Sequence, residues 1–272
     1  MVTMRRLLGR LRPRALRPGQ RGSAGLQHRS IWSLRLPKRR WAGGLLIALG
    51  FTVLLALAKH EIATAWGQQL IAWMHALGLP GQFVPVAAAS TDLFSLPVPL
   101  IDVQLRDLGM LAIAAHALAA LLIWVLSGWL PDAARPLSYL LRFAVLIHAA
   151  AIVYFWFWPA RFPHPLSSHV AGGLRQAWAL MLVTPWLHLC MYYLFPFAVW
   201  RRVALTAATL LFLFVLTPLQ YASHAALVYQ FGLIMSPLLY MLFGVMVPML
   251  GLVALYGWGM SWHSPSRSAQ EA

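Results

Sequence analysis

From 108 to 130 the chain runs twenty-three residues without an Asp, Glu, Lys or Arg. As a helix, that stretch is about 35 Å long, enough to cross the ~30 Å hydrocarbon core of a bilayer. Comparable apolar stretches recur at 41–58, 137–158, 177–199, 203–219 and within 228–258, and Arg142 is the one charge they contain. Over the full 272 residues, 61% are hydrophobic and 10% charged. A soluble domain carries about 25% charged residues, so these charges are too few to cover a water-soluble globule. The expected fold is an all-α polytopic membrane protein with about six transmembrane helices.

Charge placement suggests sidedness. Twelve of the 21 Lys and Arg residues lie between Arg5 and Arg40, and no Asp or Glu precedes Glu61. From residue 41 onward the chain is nearly neutral, with nine basic and six acidic residues. A basic segment beside an apolar span stays in the cytoplasm. The tail 1–40 therefore reads as a disordered cytoplasmic segment that touches anionic lipid, not as a nucleic-acid binder. Its Pro13, Pro18, Gly19, Gly22 and Gly25 oppose stable helix. The basic stretch is too long for a secretory signal peptide, while an Arg-rich, acid-free start also fits a mitochondrial transit peptide. With the N-terminus inside, Arg135, Arg201, Arg202 and Arg267 face the cytoplasm, while Lys59, Arg106, Arg161 and Arg175 lie in longer outer loops. Six crossings return the C-terminal tail, 259–272, to the cytoplasm. The expected location is a bacterial inner membrane.

The segment 59–107 stands apart from the spans. Ile62, Trp66, Leu70, Trp73 and Leu77 recur at helical spacing, with Gln68, Gln69 and His75 elsewhere around the wheel. This predicts an amphipathic helix over 62–79 lying flat in the outer interface; a packed core helix is the alternative. Leu79-Pro80-Gly81 breaks it, and 82–107 reads as two or three short strands or extended loops. Trp66, Trp73, Asp92, Asp102 and Asp107 are the expected partner contacts on this segment. The chain then has a five-helix bundle over 108–258, with a connecting loop at 159–176 and a kink at Pro237 or Pro248. Tyr154 to Trp158 forms an interfacial aromatic girdle.

Ionisable groups inside spans are costly. The candidates are His116, Arg142, His148 and His188. Arg142 lies about 8 Å inside the third span and is expected to snorkel to the inner headgroups or join an ion pair. The three histidines fall within about 5 Å of one another in depth on three consecutive helices. They could ligate haem or a metal, or pass protons, or simply bond helix backbones and hydroxyls. Cys190, the single cysteine, reads as a small apolar filler. No phosphate-binding glycine loop, HExxH or nucleophile elbow is present, so no enzyme class is indicated.

A helix ending in a leucine-glycine pair, here Leu70-Ile71-Ala72-Trp73-Met74-His75-Ala76-Leu77-Gly78, is followed by an extended outer segment and a new span. This layout over 64–126 resembles the exosortase and archaeosortase membrane proteins and the membrane proteins that accompany some of them. An active member would need a Cys at the outer mouth of the span near position 108, where this chain has Leu105-Arg106-Asp107-Leu108-Gly109. Family enzymes also use an Arg and a His facing outward. Arg142 falls near the inner face, and His164 and His169 lie in an outer loop without a Cys. The resemblance therefore implies a companion or non-catalytic relative that works through membrane-protein partners in envelope protein sorting or exopolysaccharide export. The alternatives are an intramembrane His-ligated redox protein and a small transporter.

Overall fold

The computed structural model describes residues 38–80, 82–84, 93–94, 96–97, 100–105, 108–194 and 198–262. The chain divides into two compact units, 1–42 and 43–272. Most of the basic tail and most of the C-terminal tail lie outside the described residues, as do Asp92 and Asp107.

The second unit is a helical assembly with one short strand pair. Helix α1 (Lys38–Leu57) is followed at once by α2 (Lys59–Ala76). Strands β1 (Gln82–Val84) and β2 (Leu100–Asp102) pair antiparallel, with Phe83 opposite Ile101. Then come α3 (Met110–Ser127), α4 (Arg135–Phe157), α5 (Leu166–Leu194) and α6 (Val199–Phe231). The last element, α7, is composite: a 3-10 turn at Leu233–Met235, one α-turn at Ser236–Leu238, a π-helical run at Leu239–Val245, and Met246–Ser261.

Four segments are long and apolar enough to cross a membrane: Met110–Ser127, Asp132–Phe157, Val199–Phe231 and Leu233–Ser261. Trp41–Leu57 with Lys59–Ala76, bent by 64°, makes a fifth if the pair is one span. The 29-residue α5 is not among them, and its first half carries Ser167, Ser168, His169, Arg175 and Gln176. The described residues thus hold four or five such segments, against the six expected. Large apolar side chains point outward all along α3, from Leu111 through Leu118 and Leu122 to Leu126, as on a helix whose surroundings are themselves apolar.

Two expectations for segments between the expected spans need correction. The amphipathic pattern is real, but its apolar stripe faces protein. Ala63, Trp66, Leu70 and Met74 are buried in the main core against α6. Trp66, expected as a partner contact, is fully buried, whereas Trp73 is 40% exposed. The connecting loop expected over 159–176 is mostly helix, because α5 begins at Leu166. Val170, Ala171 and Leu174 continue its buried face and extend the apolar period backwards. Of the expected strands, only the three-residue pair is described, and it carries the backbone of Asp102.

Proline placement accounts for several contacts. Pro218 lies inside α6 and has no N–H for the carbonyl of Phe214, four residues earlier. The indole Nε1 of Trp66 donates to that carbonyl at 2.9 Å. Phe243 offers a parallel case. In the i→i+5 register its carbonyl faces Pro248, which again has no N–H. The side-chain amide of Gln220 on α6 donates to it at 2.7 Å. A membrane helix keeps a proline where a neighbour satisfies the released backbone group, and here α2 and α6 each serve a neighbour in this way. The kink expected at Pro237 or Pro248 takes the form of this π-helical run, since Pro237 sits in the first turn.

Helix contacts are close where residues are small. A Cβ on Gly173 of α5 would fall inside the Tyr221 ring of α6, and one on Gly251 of α7 inside the Phe212 ring. Such small positions let helices approach in the absence of a hydrophobic drive. On α1, Gly44 faces Leu189 of α5, while Gly43 and Gly50 meet nothing within 4 Å. The α6–α7 turn uses Gly232 at φ +85°, with the Leu108 side chain against it.

Candidate functional site

The five histidines on α3 to α6 fall into three separate groups. His116 on α3 and His148 on α4 meet directly, with His116 Nδ1 3.1 Å from His148 Nε2 and ring centroids 5.1 Å apart. This part of the expected cluster is assembled, because α3 and α4 form an antiparallel hairpin through the short turn at Asp132–Ala134. The other nitrogen of His116, Nε2, lies 3.0 Å from the carbonyl oxygen of Phe231 at the end of α6.

His188 is not part of this pair, which corrects the three-histidine reading. Its Nδ1 lies 3.0 Å from Thr206 Oγ1 and 3.3 Å from the Tyr192 hydroxyl. That hydroxyl donates to the Arg202 carbonyl at 2.8 Å. His188, Tyr192, Arg202 and Thr206 are all buried, and this polar knot ties α5 to α6. Equal depth on consecutive helices did not bring His188 to the others, because α5 packs on α6 and not on the α3–α4 hairpin.

Arg142 also stands apart. Its Nε donates to Ser127 Oγ at 3.2 Å, and its guanidinium lies 5.4 Å from the Trp124 ring centroid. Of the two expected roles, snorkelling or an ion pair, the ion pair gives way to a hydroxyl and an aromatic face at the turn end of the hairpin. Among the described residues the salt bridge found is Arg135–Asp132, 2.8 Å long and largely exposed. Cys190, expected as buried filler, is exposed.

A third histidine group escaped the sequence reading. His169 Nε2 lies 3.3 Å from His224 Nδ1, with the Tyr221 and Tyr240 rings around them. His169 falls within the loop expected over 159–176, and His224 lies beyond the span expected over 203–219. The missed signal was the uninterrupted apolar period of α6 through Ala222, Ala225 and Val228, all fully buried. Each histidine pair offers two nitrogens, half of a four-ligand zinc set. No group of three or more His, Cys, Asp or Glu placed to hold a metal occurs among the described residues.

One of these groups borders a large cavity. A cleft of about 1320 Å³ lies between the α3–α4 hairpin and the α6–α7 pair. Among the described residues its walls carry no Asp, Glu, Lys or Arg. His116, His148, Gln104 and Gln230 lie towards one end, and Leu140, Ile123 and Leu250 towards the other. From His148 to Leu140 the helix runs about 12 Å. The cleft is therefore long, uncharged and polar at one end. Its volume exceeds the ~300–1,000 Å³ typical of pockets for drug-sized ligands. A smaller pocket of about 250 Å³ lies beside the π-helical run, between Gln176, Gln220 and Pro248.

The chain matches no protein-family model, and neither a curated protein nor a solved structure is significantly similar to it.

Proposed function

We propose that this protein is a non-catalytic multi-pass membrane component that holds an uncharged, lipid-like amphiphile in the cleft between α3–α4 and α6–α7. One observation carries this reading: a 1320 Å³ cavity without a charged wall residue among the described residues, capped at one end by the His116–His148 pair. A charged headgroup would enter that space without a counter-ion, at a high desolvation cost. A long apolar chain with a neutral polar end matches both the walls and the cap. The bound molecule would be presented to membrane-protein partners. The layout shared with exosortase-associated membrane proteins supports a place in envelope protein sorting or exopolysaccharide export. Six crossings, with α5 as the sixth and both ends in the cytoplasm, belong to the same proposal, as does the bacterial inner membrane.

The test is lipid capture. Protein purified in mild detergent is extracted, and the co-purifying lipids are identified by mass spectrometry. A neutral lipid held at about one per chain, and lost in an Ala144→Phe variant that fills the cleft, supports the reading. Wild-type protein that carries only bulk phospholipid in membrane proportions overturns it. Reporter fusions at residues 160 and 196 test α5 as a crossing, which requires the two sites to report opposite sides.

A further inference from the structure

Trp200-Arg201-Arg202 opens α6, and Trp258 and Trp262 close α7. Trp258 and Trp262 stand four residues apart and so share a helix face. The two helices pack antiparallel, and these ends meet. The Trp262 ring stacks on Trp200 with centroids 6.5 Å apart, and it meets the Trp258 ring edge-on at 4.5 Å. The Arg201 guanidinium lies 5.4 Å from the Trp200 centroid, and its Nη1 donates to the Trp262 carbonyl. Gly259 allows the close approach, since a Cβ there would lie 2.7 Å from the Leu205 side chain.

This corner has more donors than acceptors. A guanidinium carries five N–H donors and an indole one, and neither group accepts. One Arg201 donor goes to Trp262, and Nε is sealed inside the protein. The Nη2 of Arg201 and the indole N–H groups of Trp200, Trp258 and Trp262 find no acceptor among the described residues. Trp200 and Trp258 are 65% and 53% exposed. Carboxylates are scarce in this half of the sequence: after Asp132, which pairs with Arg135, the next acidic residue is Glu271. Arg202 turns inward to the Tyr192 ring of α5 and adds positive charge behind the corner.

Length places the corner at the membrane surface. The candidate spans Val199–Phe231 and Leu233–Ser261 have 33 and 29 residues, about 50 and 43 Å as helices. Both exceed the ~30 Å hydrocarbon core, so their ends reach the headgroups, where tryptophan gathers. We infer that this corner is a binding site for the phosphate of an anionic phospholipid, held by the Arg201 guanidinium and framed by Trp200, Trp258 and Trp262. Phosphate oxygens are acceptors, and a planar guanidinium matches them two at a time. A zwitterionic lipid brings the same phosphate with an ammonium of its own, which Arg201 and Arg202 repel. The site is separate from the cleft, whose lining on α7 stops at Leu250, and it does not depend on the cleft's occupant.

The experiment uses the full chain in phosphatidylcholine nanodiscs containing some phosphatidylglycerol. Two trace probes, a phosphatidylglycerol and a phosphatidylcholine, carry the same diazirine on one acyl chain near the glycerol, and labelled peptides are mapped by mass spectrometry. Labelling at 199–202 and 258–262 is divided by labelling of α3, whose outward side chains report bulk lipid. The phosphatidylglycerol probe should then exceed the phosphatidylcholine probe about fivefold, the worth of one arginine at a membrane surface. Arg201→Gln should bring the ratio to about one. Salt at about 1 M, where the Debye length falls to ~3 Å, should lower the wild-type ratio, and this arm needs no variant. A wild-type ratio near one, a ratio indifferent to salt, or a fivefold ratio surviving in Arg201→Gln each overturns the site. Excess inorganic phosphate should leave the labelling in place, and displacement by it overturns the lipid as the source of the phosphate.

Discussion

Two regions of this protein treat the same kind of polar side chain in opposite ways. Where α2, α5 and α6 meet, polar groups are turned into fasteners. Trp66 bonds a carbonyl released by Pro218, and His188, Tyr192 and Thr206 bond one another. Where the α3–α4 hairpin faces α7, the core is small, built on Ile113, Ala151, Phe155 and Ile234. Above it lie the cleft and a histidine with an unspent nitrogen. The difference teaches where to look for function. The fastened side is not satisfied throughout, since His224 Nε2 on α6 and Gln176 Oε1 on α5 are also buried without a partner; the large cleft is what the two regions do not share.

The sharpest way to break the comparison is at Trp66. Trp66→Ala removes a fully buried ring and is expected to cost about 3–5 kcal/mol, read by denaturant titration in micelles. Trp66→Phe keeps most of the packing but strips the donor from the Phe214 carbonyl, at about 1–3 kcal/mol. A change near zero in both would mean that α2 is a passenger and not part of the core. Gly173→Ala comes next. Its methyl group would meet the Tyr221 ring, and overpacking of this kind costs about 1–3 kcal/mol. Arg142→Ala should cost about 1 kcal/mol, because one hydrogen bond to Ser127 is lost at a half-exposed site. The smallest effect belongs to the cleft: Ala144→Phe should shift stability by no more than about 0.5 kcal/mol while abolishing lipid capture. A loss of several kcal/mol there would show that the cleft is a packed interface, and the two regions would no longer differ in kind.

The membrane class was legible because runs such as 108–130 leave no other solvent for the chain. The pairing of His116 with His148 was legible for a related reason, since a short turn forces consecutive helices side by side. The placement of His188 was not. Depth along a helix says nothing about which neighbour a helix chooses, and α5 chose α6. The amphipathic pattern of α2 was read correctly, but an apolar stripe does not say whether lipid or protein will cover it. His224 lies beyond the expected end of the fifth span at 219, whereas the helix carries Pro218 in its interior and continues twelve residues past 219, to Phe231. In water a proline breaks a helix more reliably than it does here, where Trp66 supplies the lost bond. The contact of His116 with the Phe231 carbonyl was beyond the sequence altogether, because it joins positions 115 apart.

The bond from Trp66 to Phe214 also has a consequence in time. The chain is made from its N-terminus, so the indole leaves the ribosome 148 residues before the carbonyl that needs it. When the proline-bearing helix arrives in the bilayer, its bare oxygen finds a donor already waiting. Delivered in the reverse order, that helix would have to stand in hydrocarbon with a polar group uncovered. Splitting the gene between α2 and α3 and expressing the second half first would impose that order. The chain should then assemble slowly, with early turnover of the orphaned half.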